Sequence, residues 1–443
     1  MPLKPTLQIL TLGCSKNNVD SEHILACLED RYEIVPESEF RAVDWLLVNT
    51  CGFIGDAKEE SVQAILEQAG RKKAGEIGKL VVFGCLSQRY ADEMPALVPE
   101  VDAWFGARNF KPLVEYLGVD MDPLKTPRRH ISGASHYAYL KISEGCDRRC
   151  SYCAIPFIRG AHKSVPMEQL VAEASALAEK GVRELILIAQ DTTFYGLDLY
   201  RRRALAELIE KLSEIDGIEW IRIHYSYPAD FPQDVLDQMA HNPKVCKYLD
   251  IPLQHIADTV LDNMHRHVDG KWTRELIAKL RAEVPGVALR TTMIVGFPGE
   301  GRKEFAELLR FVEETRFERL GAFKYSEEEG TFGAENFNDS VTSRTKQSRL
   351  DRLMELQGAI SLEFNKSRIG SELKVIVDDF SDGIFVCRSE YDSPEVDGEI
   401  LVRHDPGMMG DADPYSLIGE FIKVRVTAAD EYDLTADFVD YEE

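Results

Sequence analysis

The fold and chemistry of this chain are best predicted from one segment, Gly145-Cys-Asp-Arg-Arg-Cys-Ser-Tyr-Cys153. Its three cysteines have the spacing C-x3-C-x2-C and directly follow a predicted strand, Tyr137–Ile142. They are Cys146, Cys150 and Cys153. Cysteine thiolates are the usual ligands of a 4Fe–4S cluster, and three of them leave one iron without a protein ligand. Because an open iron can bind a small molecule directly, the spacing predicts a cluster that takes part in chemistry.

A structural zinc site is the main alternative for this triplet. Structural zinc usually has four protein ligands, often arranged as two C-x-x-C pairs. The nearest downstream histidine is His162, nine residues beyond Cys153, and no second cysteine pair lies close by. The pattern therefore favours iron over zinc, with buried structural cysteines as a further alternative.

The composition is typical of a globular protein of several domains. The chain has 443 residues, 44% of them hydrophobic, and this length predicts two to four domains. No run of eighteen apolar residues is present, so no membrane span is expected. The first residues, Met1-Pro-Leu-Lys-Pro5, lack the apolar core of a secretory signal. Nine cysteines in such a chain argue against disulfides and fit a cytoplasmic location.

The cysteine triplet opens a long series of alternating strands and helices, predicted over residues 135–368. The strand candidates are Tyr137–Ile142, Glu184–Ala189, Trp220–His224, Tyr248–Ile251, Ala288–Val295 and Arg319–Lys324. Helical patterns separate them, and a last helix is predicted over Thr342–Arg368. Six β/α units in a row indicate an incomplete (β/α)6 barrel, whose working face lies at the carboxyl ends of the strands.

The triplet, with an aromatic residue before its last cysteine, resembles the radical S-adenosylmethionine (SAM) superfamily. This resemblance implies SAM as a cofactor, cleaved reductively at the open iron to a 5′-deoxyadenosyl radical. It also implies SAM-binding residues beyond the cysteines, at Tyr152, Gln190, Asp191, Gln254 and Gly296. All but Tyr152 follow or end a predicted strand. The segment Gly296–Glu300 is equally typical of a simple turn before a helix.

Four cysteines lie in the N-terminal part, residues 1–125, and three of them follow predicted strands. The predicted strands there are Leu7–Leu12, Asp44–Asn49 and Lys79–Phe83, and the predicted helices are Val19–Asp30, Ala57–Ala69 and Gln88–Leu97. Such alternation predicts an open parallel α/β sheet. Cys14, Cys51 and Cys85 each follow one of these strands. Because the loops beyond the strand carboxyl ends converge in an open α/β sheet, we expect a second cluster, against the alternative of three coincidental buried thiols.

The segments around these cysteines resemble the methylthiotransferase family of radical SAM enzymes. They are Leu12-Gly-Cys-Ser-Lys-Asn17, Asn49-Thr-Cys-Gly-Phe53 and Phe83-Gly-Cys-Leu-Ser-Gln88. The resemblance implies two 4Fe–4S clusters, of which the second carries the sulfur to be inserted. One SAM would methylate that sulfur, and a second would supply the radical that takes hydrogen from a C–H bond. The reductive step implies an electron donor of the flavodoxin or ferredoxin type.

The C-terminal part, residues 369–443, consists of short β-branched runs separated by Gly, Asp and Pro. The runs are Leu373–Val377, Ile384–Cys387, Glu399–Val402 and Glu420–Thr427. This spacing predicts a small antiparallel barrel of five strands, which resembles a TRAM domain. The Pro- and Arg-containing stretch before the central domain predicts a linker at 126–134.

The charge distribution bears on the target. The chain has a formal net charge of −24, and from Lys366 to Glu443 it has 7 Lys and Arg against 20 Asp and Glu. Phosphate contacts need basic residues, so stable tRNA binding is not expected and a basic protein partner is favoured. Short basic runs such as Arg128-Arg129 are interpreted as solvated loops, and Arg148 and Arg149 as residues that tune the cluster or contact an acidic group.

Two segments, Gly13–Ser21 and Ser389–Glu399, resemble the branch that modifies an aspartate of small ribosomal subunit protein twelve. That resemblance implies a basic ribosomal protein as substrate, free or on the small subunit, modified at the aspartate β-carbon. Two alternatives stay open at this point. One is the same chemistry on a tRNA adenosine, and the other is a metal-stabilised ribosome- or RNA-binding protein without catalysis.

Overall fold

The computed structural model describes residues 4–120, 128–404 and 413–439. These residues form an N-terminal parallel sheet, a central open parallel sheet with helices around it, and a small closed barrel at the C-terminal end. The predicted fold class is thereby confirmed. Within the described ranges, no helix is both long enough and apolar enough to cross a membrane.

The N-terminal sheet has five parallel strands in the order β2-β1-β3-β4-β5. The elements are β1 Thr6–Thr11, α1 Ser15–Leu28, β2 Glu33–Ile34, β3 Val43–Thr50, α2 Gly55–Lys73, β4 Ile77–Gly84, α3 Cys85–Arg89, α4 Met94–Leu97, β5 Ala103–Trp104 and α5 Lys111–Tyr116. The strands are buried on both faces, which explains their continuous apolar runs. The three predicted main strands are found within one or two residues of their expected ends.

One helix of this domain was predicted wrongly. The sequence predicts a single helix over Gln88–Leu97, whereas the structure has two short helices, α3 and α4. Tyr90 leaves helical geometry at φ −119° and ends α3. Pro95 then stands in the first turn of α4, a position that proline tolerates because the N–H it lacks would have no helical partner there.

The central domain contains the six predicted parallel strands in the order β13-β12-β11-β10-β9-β6. Its strands are β6 Tyr137–Lys141, β9 Glu184–Ile188, β10 Trp220–Ile223, β11 Val245–Asp250, β12 Ala288–Val295 and β13 Arg319–Lys324, with a short hairpin of β7 Ser143–Glu144 and β8 Lys163–Ser164. Its helices are α6 Ile155–Arg159, α7 Met167–Glu179, α8 Leu197–Tyr200, α9 Leu205–Ser213, α10 Gln233–His241, α11 Asp258–Asn263, α12 Gly270–Glu283, α13 Arg302–Thr315, α14 Phe332–Asn336 and α15 Ser343–Ser367. The main core of the chain lies between these strands and helices.

The C-terminal barrel closes in the strand order β14-β15-β16-β18-β17. The strands are β14 Glu372–Ser381, β15 Ile384–Ser389, β16 Ile400–Arg403, β17 Phe421–Ala429 and β18 Leu434–Phe438. All neighbours are antiparallel except β16 and β18, which are parallel. The position of β18 was not predicted: Leu434-Thr-Ala-Asp-Phe438 alternates apolar and polar residues, but the run is short and contains no Val or Ile.

The end of the linker between the first two domains is anchored rather than solvated. Residues 121–127 lie outside the described ranges. Arg129, which the sequence assigns to a solvated basic run, has a side chain only 2% exposed. Its guanidinium donates to the carboxylates of Glu22 in α1 and Glu173 in α7. The prediction was wrong for this residue, because the two largely buried carboxylates need a cation beside them to compensate their charge.

The acidic segment Ser389–Glu399 lies against the interior face of the central sheet. Strand side chains alternate between two faces, and the face opposite the helices presents Arg222, Tyr248 and Arg290 to this segment. Arg222 donates to the backbone oxygen of Glu390 at 2.8 Å, and the Tyr248 hydroxyl donates to Asp397 at 2.7 Å. The C-terminal domain therefore fills the inner side of the open barrel.

Arg222 is the central residue of this junction, because its fully buried side chain pairs with the equally buried Glu184 at 2.7 Å. We expect Arg222→Met to lower the free energy of unfolding by about 3 kcal/mol, since it leaves a buried carboxylate underpaired. The matched control is Lys374→Met, which breaks an exposed pair with Glu219 and should cost less than about 1 kcal/mol. Chemical unfolding of the iron-free chain measures both. Equal losses would contradict a specific role of the buried pair.

Candidate active centre

The central cysteines lie in a loop that the backbone holds tightly. Gly145 has φ +78°, and a Cβ there would lie 2.1 Å from the backbone oxygen of Ala161, so only glycine fits. The Cys146 N–H donates to Gly160 at 3.0 Å, and the Cys153 N–H donates to Cys150 at 3.0 Å. These contacts fold the loop back on itself beyond the carboxyl end of β6, where the three predicted thiols come together.

The thiols of this loop are largely shielded from water. Burial raises the pKa of Cys146 to about 11, and burial with the neighbouring thiol of Cys150 raises the pKa of Cys153 still further. Buried thiols ionise only where positive charge or a metal compensates them. One such charge is Arg266, a buried residue that donates from Nη1 to the Cys150 sulfur at 3.4 Å.

The three N-terminal cysteines converge beyond the carboxyl ends of β1, β3 and β4. Cys14 precedes α1, Cys51 follows β3, and Cys85 begins α3. A Cβ at Gly13, which has φ +97°, would lie 2.7 Å from Cys51 Cβ. Cys14 is exposed, whereas Cys51 and Cys85 are buried. The convergence expected from an open α/β sheet is therefore present in the structure.

Both sets of thiols provide the ligand type that 4Fe–4S clusters use. Among the described residues, no three His, Cys, Asp or Glu side chains converge as ligands of one metal ion. In a 4Fe–4S cluster the cysteines bind separate irons, so they need not converge on one point. Burial raises the pKa of the Cys85 thiol to about 11, which makes an uncompensated thiolate there unfavourable. The other three cysteines, Cys27, Cys246 and Cys387, belong to neither set.

Arg159, at the end of α6, connects the two sets. Its Nε donates to Cys85 Sγ at 3.2 Å, and its Nη1 donates to Glu144 at 3.0 Å. Glu144 stands two residues before Cys146 and accepts a 2.6 Å hydrogen bond from Gln190. Burial opposes ionisation of Glu144, but Lys141 and Arg159 outweigh it and lower its pKa to about 2. A continuous polar chain thus runs from the N-terminal thiols to a residue expected to bind SAM.

Two of the predicted SAM-binding residues lie side by side after β9. The amide oxygen of Gln190 is buried without a hydrogen-bond partner among the described residues, as expected for a group that receives a polar ligand. Asp191 is engaged within the protein. It accepts from Arg148 at 2.6 Å and from the Thr193 N–H at 3.0 Å, so its carboxylate shapes the loop.

The remaining predicted residues line the carboxyl ends of β11 and β12. Gln254 adopts φ +73°, and its buried amide oxygen also lacks a partner in the described part of the chain. Gly296 has φ +76°, with its N–H bound to Glu300 at 2.7 Å. Tyr152 lies beside Phe297 and Arg266. The structure therefore brings all five residues to the predicted edge of the central sheet.

Two arginines that contact sulfur directly, Arg159 and Arg266, were not predicted from the sequence. For Arg148 and Arg149, expected to tune the cluster or contact an acidic group, the structure shows that Arg148 pairs with Asp191 and stacks 4.0 Å from the Tyr227 ring centre, whereas Arg149 is exposed. Arg159 and Arg266 donate to thiols instead. The only sequence signal for Arg159 is a lone cation after the apolar run Ile155–Ile158, which is too weak to identify it.

Comparison with known proteins places these features in a family. The model of the radical SAM superfamily matches residues 140–312, that of the TRAM domain matches 369–439, and that described as "Uncharacterized protein family UPF0004" matches 6–106. The chain is therefore a radical SAM enzyme with two accessory domains. Solved structures agree in fold alone. The radical SAM methyltransferase TsrM from Kitasatospora setae has a TM-score of 0.55 at 12% identity and covers 94% of this chain and 92% of its own.

Relatives that match nearly the whole chain identify the family within the radical SAM superfamily. A protein of Phocaeicola vulgatus is 49% identical over 98% of this chain and 99% of its own length. A protein of Porphyromonas gingivalis is 50% identical with the same coverage. Both are named ribosomal protein uS12 methylthiotransferase RimO. The chain belongs to the RimO family of radical SAM methylthiotransferases, which use SAM and 4Fe–4S clusters.

Gly13 offers a direct test of the N-terminal geometry. We expect Gly13→Ala to displace Cys51, because the added Cβ would clash with it and alanine is strained at positive φ. Alkylation of Cys51 in the iron-free chain, followed by peptide mass analysis, should become at least several-fold faster. Gly133→Ala is the matched control, since a Cβ there meets nothing within 4 Å. Unchanged alkylation in the Gly13 variant would contradict the close packing of these loops.

Proposed function

We propose that this methylthiotransferase modifies ribosomal protein uS12, placing a methylthio group on the β-carbon of one aspartate and using two SAM per turnover. The named substrate of the relatives supports this proposal. So does the acidic C-terminal domain, which suits a basic protein better than a polyanion. In this account residues 1–125 and 135–368 carry the two cysteine sites, 126–134 connect them, and 369–443 contact the target.

In the proposed site, Cys146, Cys150 and Cys153 hold the SAM-cleaving cluster, and the N-terminal cysteines hold the sulfur-carrying one. When bound, these cofactors supply a radical that takes hydrogen from carbon and a methylthio group that replaces it. Tyr152, Gln190, Asp191, Gln254 and Gly296 are proposed to line the SAM site. Unpartnered amide oxygens of Gln190 and Gln254 are suited to receive polar groups of SAM.

The observation that supports this proposal is the bridge that Arg159 makes between Cys85 and Glu144, two residues before the first central cysteine. Radical and sulfur donor must reach the same carbon, which requires both sites to face one space. Arg159 touches Cys85 at 3.2 Å and Glu144 at 3.0 Å, and Glu144 lies beside the central cysteines. The carboxyl ends of both sheets are thus turned toward each other.

Interdomain contacts around this space hold the N-terminal domain over the barrel strands. Glu328, which follows β13, accepts from Lys58 at 2.8 Å and from Arg89 at 2.7 Å. On another side, Lys16 Nζ lies 3.1 Å from the ring centre of Tyr225, which follows β10. These groups limit the entry of water, which protects a reactive radical from side reactions.

Not all carboxylates of the acidic segment Ser389–Glu399 are available to a basic substrate. Asp392 and Asp397 of that segment are turned inward, where they pair with Arg319 and Arg290. Exposed carboxylates remain on the outer side of the barrel, among them Asp379 and Asp382. We propose these outer carboxylates as the attraction for uS12, and a flavodoxin- or ferredoxin-type protein as electron donor.

The cofactor assignment is tested by iron and sulfide content after anaerobic purification. Wild type should contain about eight irons, as two four-iron clusters require. Cys14→Ala/Cys51→Ala/Cys85→Ala and Cys146→Ala/Cys150→Ala/Cys153→Ala should each retain about four. The matched control is Cys27→Ala/Cys246→Ala/Cys387→Ala, which should retain the full iron content of the wild type. Full iron in the N-terminal triple variant would remove the proposed sulfur-carrying site.

The substrate assignment is tested with purified uS12 and tRNA under the same reducing conditions. We expect the mass increment of one methylthio group on a single uS12 aspartate and none on tRNA. Both cysteine triple variants should abolish it, because each removes one of the two required sites. Modification of tRNA without modification of uS12 would contradict the proposal.

A further inference from the structure

We propose that Arg159 is a positioning residue that sets the reduction potential of the N-terminal cluster through its hydrogen bond to the Cys85 sulfur. The inference rests on the proposed function, because it takes Cys85 as a cluster ligand. It goes further by assigning control of that cluster to a residue of the central domain. A residue of one domain would then tune the cofactor held by another.

All three nitrogens of the Arg159 guanidinium donate hydrogen bonds. Nε donates to Cys85 Sγ at 3.2 Å. Nη1 donates to Asp20 at 2.7 Å and to Glu144 at 3.0 Å, with the backbone oxygen of Ala107 at 3.5 Å. Nη2 donates to Asn17 Oδ1 at 2.6 Å. Because each nitrogen has its own partner, the guanidinium has one orientation, and in that orientation Nε points to sulfur.

The charges around Arg159 are balanced before any cluster is present. Lys141 is the second cation of the group and pairs with Asp20 and with Glu144, the latter at 2.9 Å. Two cations thus face two carboxylates. The side chain of Arg159 is only 3% exposed, so water and salt screen its charge weakly. Negative charge added at the Cys85 sulfur therefore interacts with a buried and fixed positive group.

Reduction of a cluster adds one negative charge to the iron and its thiolates. The net charge and the hydrogen bonds to sulfur are among the properties that set cluster potentials. A hydrogen bond from a cation to a thiolate strengthens as the thiolate becomes more negative. Arg159 therefore stabilises the reduced state more than the oxidised state, and its removal should make the potential more negative.

The experiment uses the full chain with Cys146→Ala/Cys150→Ala/Cys153→Ala, so that only the N-terminal cluster is observed. Redox titration followed by electron paramagnetic resonance compares this parent with its Arg159→Gln variant. We expect the one-electron reduction equilibrium to fall about tenfold, which corresponds to a potential about 59 mV more negative. Arg159→Lys should shift the potential less, since it keeps the charge but loses the fixed geometry.

Arg108→Gln is the matched control. Arg108 also contacts α6, but it donates to the backbone oxygens of Phe157 and Ile158 and not to sulfur. Its replacement should leave the potential unchanged. A potential equal to that of the parent in an Arg159→Gln protein with full iron would overturn the inference.

Loss of Arg159 leaves two buried carboxylates underpaired, and the variant could fold poorly for that reason alone. Arg159→Gln/Asp20→Asn removes one of those carboxylates and should fold better. Its potential should be more negative than that of an Asp20→Asn protein, which keeps the hydrogen bond to sulfur. If both neutral variants lost their iron while Arg159→Lys kept iron at the parent potential, Arg159 would be only a structural support and the inference would be overturned. Absence of iron from the parent itself would instead refute the proposed cluster site.

Discussion

The buried group of Arg159, Lys141, Asp20 and Glu144 is the interaction on which the arrangement of this enzyme depends. Its members come from α1 of the N-terminal domain and from the first strands and first helix of the central domain. Separating buried charges leaves each one unpaired in a poor solvent, which costs several kcal/mol. The two domains are therefore fixed in the one orientation that turns both sets of cysteines toward the same space.

A second buried ionic network fixes the C-terminal domain against the central domain. Glu184 lies between Arg222 and Arg388, at 2.7 and 2.8 Å, and Arg388 continues to Asp378 of the C-terminal domain. The inner face of the open sheet is thereby closed by a neighbouring domain. The site is consequently enclosed by the N-terminal domain on one side and by the C-terminal domain on the other, although the central sheet itself is open.

Apolar runs in contiguous sequence predicted the main strands, and local spacing predicted the central cysteine triplet. The N-terminal cysteines were predicted from their places directly after three of those strands. Pairing between distant charges is not local, and this is why Arg159 escaped prediction: its partner Asp20 lies 139 residues away. Arg129 was misjudged for the same reason. The acidic C-terminal part was expected to attract a basic partner, yet part of the charge of its segment Ser389–Glu399 is neutralised inside the barrel. The composition gives the number of charged residues, but it does not show which of them are buried and paired and which are exposed to solvent.

If both clusters face one shared space, as we propose, their unpaired spins interact magnetically. The measurement is the electron paramagnetic resonance spectrum of the full chain with both clusters reduced, compared with the spectra of the two cysteine triple variants. The account predicts additional broadening and faster spin relaxation in the full chain, since two nearby unpaired spins couple through space. A full-chain spectrum equal to the simple sum of the two variant spectra would contradict it.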